Sequence, residues 1–113
     1  MKLYHNALCS KSRGALELLV ARGLEPEVVP YLEQPPSPEE LRALLIILGV
    51  GARALLRVGE AKYQELHLDD PALCDDDLIE AMSMHPQLIE RPILVHAGRA
   101  IIGRPPERIL EIL

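Results

Sequence analysis

MKLYHNALCSKSRGALELLVARGLEPEVVPY, residues 1–31, reads as strand, helix, strand. Lys2 to His5 has the character of a short strand with Leu3 facing inward. Ser10 to Arg22 has helical spacing: Ala15, Leu18, Leu19 and Arg22 share one stripe, Leu16 and Val20 widen it, and Gly23 supplies the stop. Glu25 to Tyr31 forms a second strand around Val28 and Val29, with Pro30 marking its end or a sheet edge. A strand-helix-strand unit this short predicts two parallel strands joined by a crossover helix.

Strands return in the last third of the chain. Pro92–His96 and Arg99–Ile102 flank Ala97-Gly98, the signature of a tight hairpin, and Pro105–Leu113 closes the chain as a helix. Between these ends lies a helical segment. Ser37-Pro38-Glu39-Glu40 is a capping box with proline at the first helical position. Leu41, Leu44, Leu45 and Leu48 then recur at helical spacing until Gly49. Short helical turns are expected over 52–57 and 62–66. Asp75, Asp76 and Asp77 crowd the positive end of another helix, whose stripe is Leu78, Ala81 and Met82 and whose stop is His85-Pro86. The order is β-α-β, a helical insertion at about 37–85, then β-β-α. That is a single α/β domain over 1–113 with a four-stranded mixed sheet covered by helices.

Composition bounds the function. The chain has 113 residues, 49% of them hydrophobic, with no Phe or Trp, so its core is aliphatic. The net charge of −5, with few aromatics, speaks against nucleic-acid binding. No apolar leader segment is visible, and the longest apolar run, 43–52, is too short to span a bilayer. Two cysteines 65 positions apart make no disulfide scaffold and read as thiols of a cytoplasmic protein without a membrane segment. The charge is uneven: residues 1–23 carry +3, 24–90 carry −10 and 91–113 carry +2. If the two ends meet, they form a positive patch suited to an anion.

Cys9 falls at the junction of the first strand and first helix, where unpaired backbone N–H groups and the helix dipole favour thiolate over thiol. A free thiol of pKa about 8.5 is only ~3% ionised at neutral pH, so such help decides reactivity. His5, Lys11 and Arg13 add positive character nearby. Cys74 is the contrast: it lies in DDPALCDDD, where like charge disfavours the thiolate, and it reads as structural. Ser12 stands where a Cys-x-x-Cys oxidoreductase has its second thiol, so turnover would need an outside thiol. Arg91 and Arg104 lie at the start of one hairpin strand and just beyond the end of the other, hence at the same end of the sheet. Guanidinium forks at that place suit a tetrahedral oxyanion. Arg57 in the insertion could join them, although periodicity cannot show it. The four histidines have no metal-ligand spacing, and no metal site is expected.

Five stretches in register, YHNALCSKSRGALELL, YLEQPPSPEELRALL, ARALLR, HPQLIERPILV and GRPPERILEIL, resemble the glutaredoxin-linked arsenate reductase family, relatives of the Spx regulators. The likeness runs from Met1 to Leu113. It implies a thioredoxin-like fold, with Pro92 as the cis-proline beside the active site. It implies Cys9 as nucleophile, His5 as the group that helps keep it ionised, and Arg57, Arg91 and Arg104 as the oxyanion-binding arginines. The implied reaction is reduction of arsenate to arsenite, as in arsenical resistance, with glutathione as reducing co-substrate, glutaredoxin as partner, no bound cofactor and a monomeric chain. The chain departs from the family pattern at Ala7, where a proline is usual. Two other readings attach to the same resemblance. One is an Spx-like non-enzymatic regulator, whose customary Cys-x-x-Cys switch Ser12 breaks; the other is a related thiol-redox protein acting on another substrate.

Overall fold

The computed structural model describes residues 1–113. β1 (Lys2–Tyr4) leads through a five-residue loop into α1 (Ser10–Ala21), and β2 (Glu27–Val29) follows. β1 and β2 are parallel, with Leu3 opposite Val28. β3 (Ile93–His96) and β4 (Arg99–Ile102) form the hairpin, and β3 runs antiparallel to β1 with Leu3 opposite Leu94. The sheet order is β2-β1-β3-β4, so residues from both ends of the chain share its two central strands.

Two compact units divide the chain, 1–34 with 91–113, and 35–90. In the first, Leu3, Ala15, Leu19, Leu94, Ile101, Ile109 and Ile112 form an aliphatic core. Removing a side chain such as Leu3 or Leu94 from water contributes about 1.5–3 kcal/mol. β2 is shorter than the Glu25–Tyr31 span expected, and Val28 is 40% exposed. As an edge strand with one partner it needs only a short ladder, and Pro30 supplies no donor to extend it. The closing segment, Pro106–Ile112, is a 3₁₀ helix rather than an α-helix. Its two buried side chains, Ile109 and Ile112, are three residues apart, and the 3₁₀ period of three stacks both on one face.

The second unit is the helical insertion: α2 (Pro38–Leu48), a 3₁₀ turn at Ala52–Leu55, α3 (Ala61–Glu65), α4 (Asp75–Met84) and a further 3₁₀ turn at Pro86–Leu88. The Ser37 hydroxyl accepts from the Glu40 amide at 3.2 Å, as its capping position requires. Gly49 ends α2 at φ 72°, a left-handed conformation that suits glycine. Leu41, Leu44 and Leu45 of α2 are buried, as are Leu78, Ile79 and Met82 of α4. No helix is long and apolar enough to cross a membrane.

The charge follows the same division. Residues 1–34 and 91–113 together carry eight basic and six acidic side chains, a net +2. Residues 35–90 carry four basic and eleven acidic side chains, a net −7.

Candidate active site

Cys9 is the N-cap residue of α1, in extended conformation and half-buried. Burial alone would raise its pKa. The amides of Ser12 and Lys11 and the Arg91 guanidinium, which acts by hydrogen bond and by charge, outweigh it and hold the thiol below its ordinary value. The amides face the sulfur without closing a capping hydrogen bond of ordinary geometry.

The loop before Cys9 is tied down by polar groups. The Cys9 amide donates to the Asn6 carbonyl at 3.0 Å, and the Leu8 amide to Asn6 Oδ1 at 3.0 Å. The Asn6 amide donates to Ser12 Oγ at 3.2 Å, and Arg13 Nη1 to the Ala7 carbonyl at 3.0 Å. Ser12 is fully buried. Beyond standing where a second thiol would be, it holds the loop through its hydroxyl and faces the sulfur through its amide. From the sequence alone, Ser12 registers only as a missing cysteine. Asn6, one residue after a strand and two before an amide it can accept, was the available signal for a side-chain turn.

His5 is buried, and its Nδ1 has no hydrogen-bond partner. Its pKa is lowered by burial and by the charge of Arg13, against a raising hydrogen bond with the Ser12 backbone. The imidazole is therefore neutral at pH 7. The interactions that lower the thiol's pKa come from Ser12, Lys11 and Arg91.

The hairpin brings Arg91 and Arg104 together, as their positions in the chain predict. Arg104 Nη1 donates to the Arg91 carbonyl at 3.0 Å. Between them, the Gly103 amide donates to the Pro92 carbonyl at 2.8 Å, and a Cβ on Gly103 would come within 2.9 Å of the Pro92 ring. The Arg91–Pro92 bond is cis, as the resemblance implied; so is Arg104–Pro105. Arg91 Nε is buried with no acceptor. An unpaired charged donor next to a sulfur is costly unless a ligand uses it.

Arg57 belongs to the 35–90 unit. Its amide donates to the Leu88 carbonyl at 2.8 Å, and its guanidinium meets Glu60 at 2.9 Å. Glu60 was not singled out in the sequence, although a carboxylate three residues after an arginine is a recurrent pairing. Cys74 caps α4: its amide donates to Asp77 at 3.0 Å and its sulfur lies 3.3 Å from the same carboxylate oxygen. No three His, Cys, Asp or Glu side chains gather as a metal site.

The fold is thioredoxin-like, and it holds the Cys9 thiol toward its anion with a helix N-terminus and one arginine. The ArsC family profile matches residues 4–112, and the chain belongs to that family. It is 54% identical over its whole length to the uncharacterized protein YfgD of Escherichia coli K12, covering 96% of that protein. It is 47% identical to an arsenate reductase of Neisseria meningitidis serogroup A, again over its whole length and 97% of the relative. Among solved structures, an arsenate reductase from Vibrio cholerae superposes with a TM-score of 0.97 at 53% identity, covering 99% of this chain and 96% of that one.

Proposed function

We propose that the chain is an arsenate reductase in which Cys9 is the nucleophile, glutathione the reducing co-substrate and glutaredoxin the partner that completes turnover. The observation that carries this reading is the Cys9 sulfur at the start of α1 with Arg91 lowering its pKa. The thiolate attacks arsenic(V), forming a sulfur–arsenic bond while one oxygen leaves and is protonated to water. Glutathione attacks next. Across the cycle two thiols are oxidised to a disulfide, and arsenic(V) takes up the two electrons to become arsenite. The electrons come from thiols, so the reaction needs no bound cofactor.

Arg91, Arg104 and Arg57 hold the oxyanion and offset its charge as the adduct forms. The buried, unpaired Nε of Arg91 supports this role, because it is a donor that a substrate oxygen can use. His5 acts as a neutral imidazole. Through its hydrogen bond with Ser12 it steadies the residue whose amide faces the sulfur. Ser12, fully buried, stands where a resolving thiol would lie one helical turn from Cys9, which favours an external thiol over an internal disulfide switch.

The test is arsenite release by the purified protein supplied with arsenate and glutathione, with and without glutaredoxin. Cys9→Ser abolishes turnover, whereas Cys74→Ser retains most of it. The opposite ranking refutes the assignment. Turnover that proceeds equally well without glutaredoxin removes that partner from the scheme.

A further inference from the structure

We propose that Arg13 is a positioning residue for the Cys9 thiol, acting by fastening the apex of the loop between β1 and α1 to the first turn of the helix. Four hydrogen bonds hold residues 6–8 of this loop. Two of them, from the Cys9 amide to the Asn6 carbonyl and from the Leu8 amide to Asn6 Oδ1, are internal and would travel with the loop if it shifted. The other two tie its middle to α1. Ser12 takes the base, through Asn6, and Arg13 takes the apex, through the Ala7 carbonyl.

Arg13 is also bound to Cys9 itself, because its amide donates to the Cys9 carbonyl at 3.0 Å and opens the helix. Its backbone thus fixes the loop's last residue while its side chain fixes the loop's apex. Ala7 explains why this matters here. Proline would lock φ at that position, whereas alanine leaves it free. The Leu8 side chain is 88% exposed, so packing does not hold the loop tip either. The stabilisation the sulfur receives from Lys11 and Ser12 depends steeply on where the sulfur lies relative to their amides, and a loosened loop weakens it.

The inference rests on Cys9 as the nucleophile, and its test reads the thiol directly so that failure of one is distinct from failure of the other. The rate of Cys9 alkylation by iodoacetamide is measured against pH in a Cys74→Ser background. Arg13→Ala slows alkylation at neutral pH about fivefold by lowering the thiolate fraction. Adding Ala7→Pro to Arg13→Ala recovers most of the loss, because the ring restores stiffness without restoring charge. The Ala7 amide makes no hydrogen bond that proline would remove. An NMR titration of His5 separates the two effects of Arg13. The His5 pKa rises in both variants, since both lack the nearby cation, whereas the thiol follows the proline.

A parent profile at the ordinary thiol value overturns the Cys9 reading and this inference with it. A lowered parent profile that Arg13→Ala leaves in place overturns the role of Arg13 alone. A shifted profile that Ala7→Pro does not recover shows that Arg13 acts through its charge and also overturns the positioning role. Should Ala7→Pro prevent folding, Arg13→Gln against Arg13→Met decides the matter. Neither carries the charge and only glutamine retains a donor for the Ala7 carbonyl, so equal slowing in the two refutes the anchor.

Discussion

A lowered thiol pKa is also a statement about stability. Between the native pKa of Cys9 and the unfolded value of about 8.5, the unfolded chain holds a proton that the folded chain has released. Stability from this group therefore rises with pH across that window, is fully present above it, and is lost as pH falls through the native value. His5 runs in the same direction over a different range. Its native pKa lies below the ordinary 6.5, so its contribution is present above 6.5 and lost on acidification. Serine at position 9 cannot ionise and so isolates the thiol's share. Urea denaturation from pH 5 to 9 is expected to give a difference between the parent and Cys9→Ser that grows with pH and levels off above 8.5. A difference independent of pH would mean that the folded chain does not favour the thiolate.

At the scale of elements, the hairpin does for Arg91 what the helix end does for Cys9. The residues between Ile102 and Pro105 turn tightly over Pro92, and Gly103 is the point of closest approach. A Cβ there would lie 2.9 Å from Pro92 Cγ and 3.0 Å from Ile109 Cγ2, so neither the Pro92 turn nor the closing 3₁₀ helix has room for it. Gly103→Ala is expected to cost about 1–3 kcal/mol of stability, in the range of overpacked cores. By displacing Pro92 it also moves Arg91, so the thiol loses part of its activation; denaturation and the alkylation profile read the two effects together. Elements of this kind were legible to different degrees. The Ser37 cap and the Ala97-Gly98 turn are local patterns, and each has its expected place. Of the expected α1 stripe, Ala15 and Leu19 are buried, whereas Val20 and Arg22 are exposed, because the helix packs on one narrow face. The type of the closing helix was not legible, because Ile109 and Ile112 are as compatible with one face of an α-helix as with a 3₁₀ stack. Cys9, Arg91 and Arg104 could be found because element ends and strand connectivity place them. Ser12 and Arg13 meet the loop through individual hydrogen bonds, which leave no periodic trace, and only Asn6 carries a local turn signal.

Across the whole molecule, activation of the thiol and the supply of cations are separable. The groups that lower the Cys9 pKa, the amides of Lys11 and Ser12 and the guanidinium of Arg91, all lie within residues 1–34 and 91–113, the part of the chain that is net positive. Arg57 lies in the net-negative 35–90 unit, carries Glu60 on its guanidinium, and is not among those groups. The two arginines should therefore fail differently. Arg91→Ala removes a hydrogen bond and a charge from the sulfur, and alkylation at neutral pH slows several-fold before any anion is added. Arg57→Ala leaves the alkylation profile where it is. If Arg57 binds the oxyanion, its loss appears only when phosphate is present, as a roughly tenfold higher concentration needed to protect Cys9, about what one charge-assisted hydrogen bond contributes. Protection by phosphate that is unchanged in Arg57→Ala would remove Arg57 from the oxyanion site while leaving the thiol and Arg91 in place.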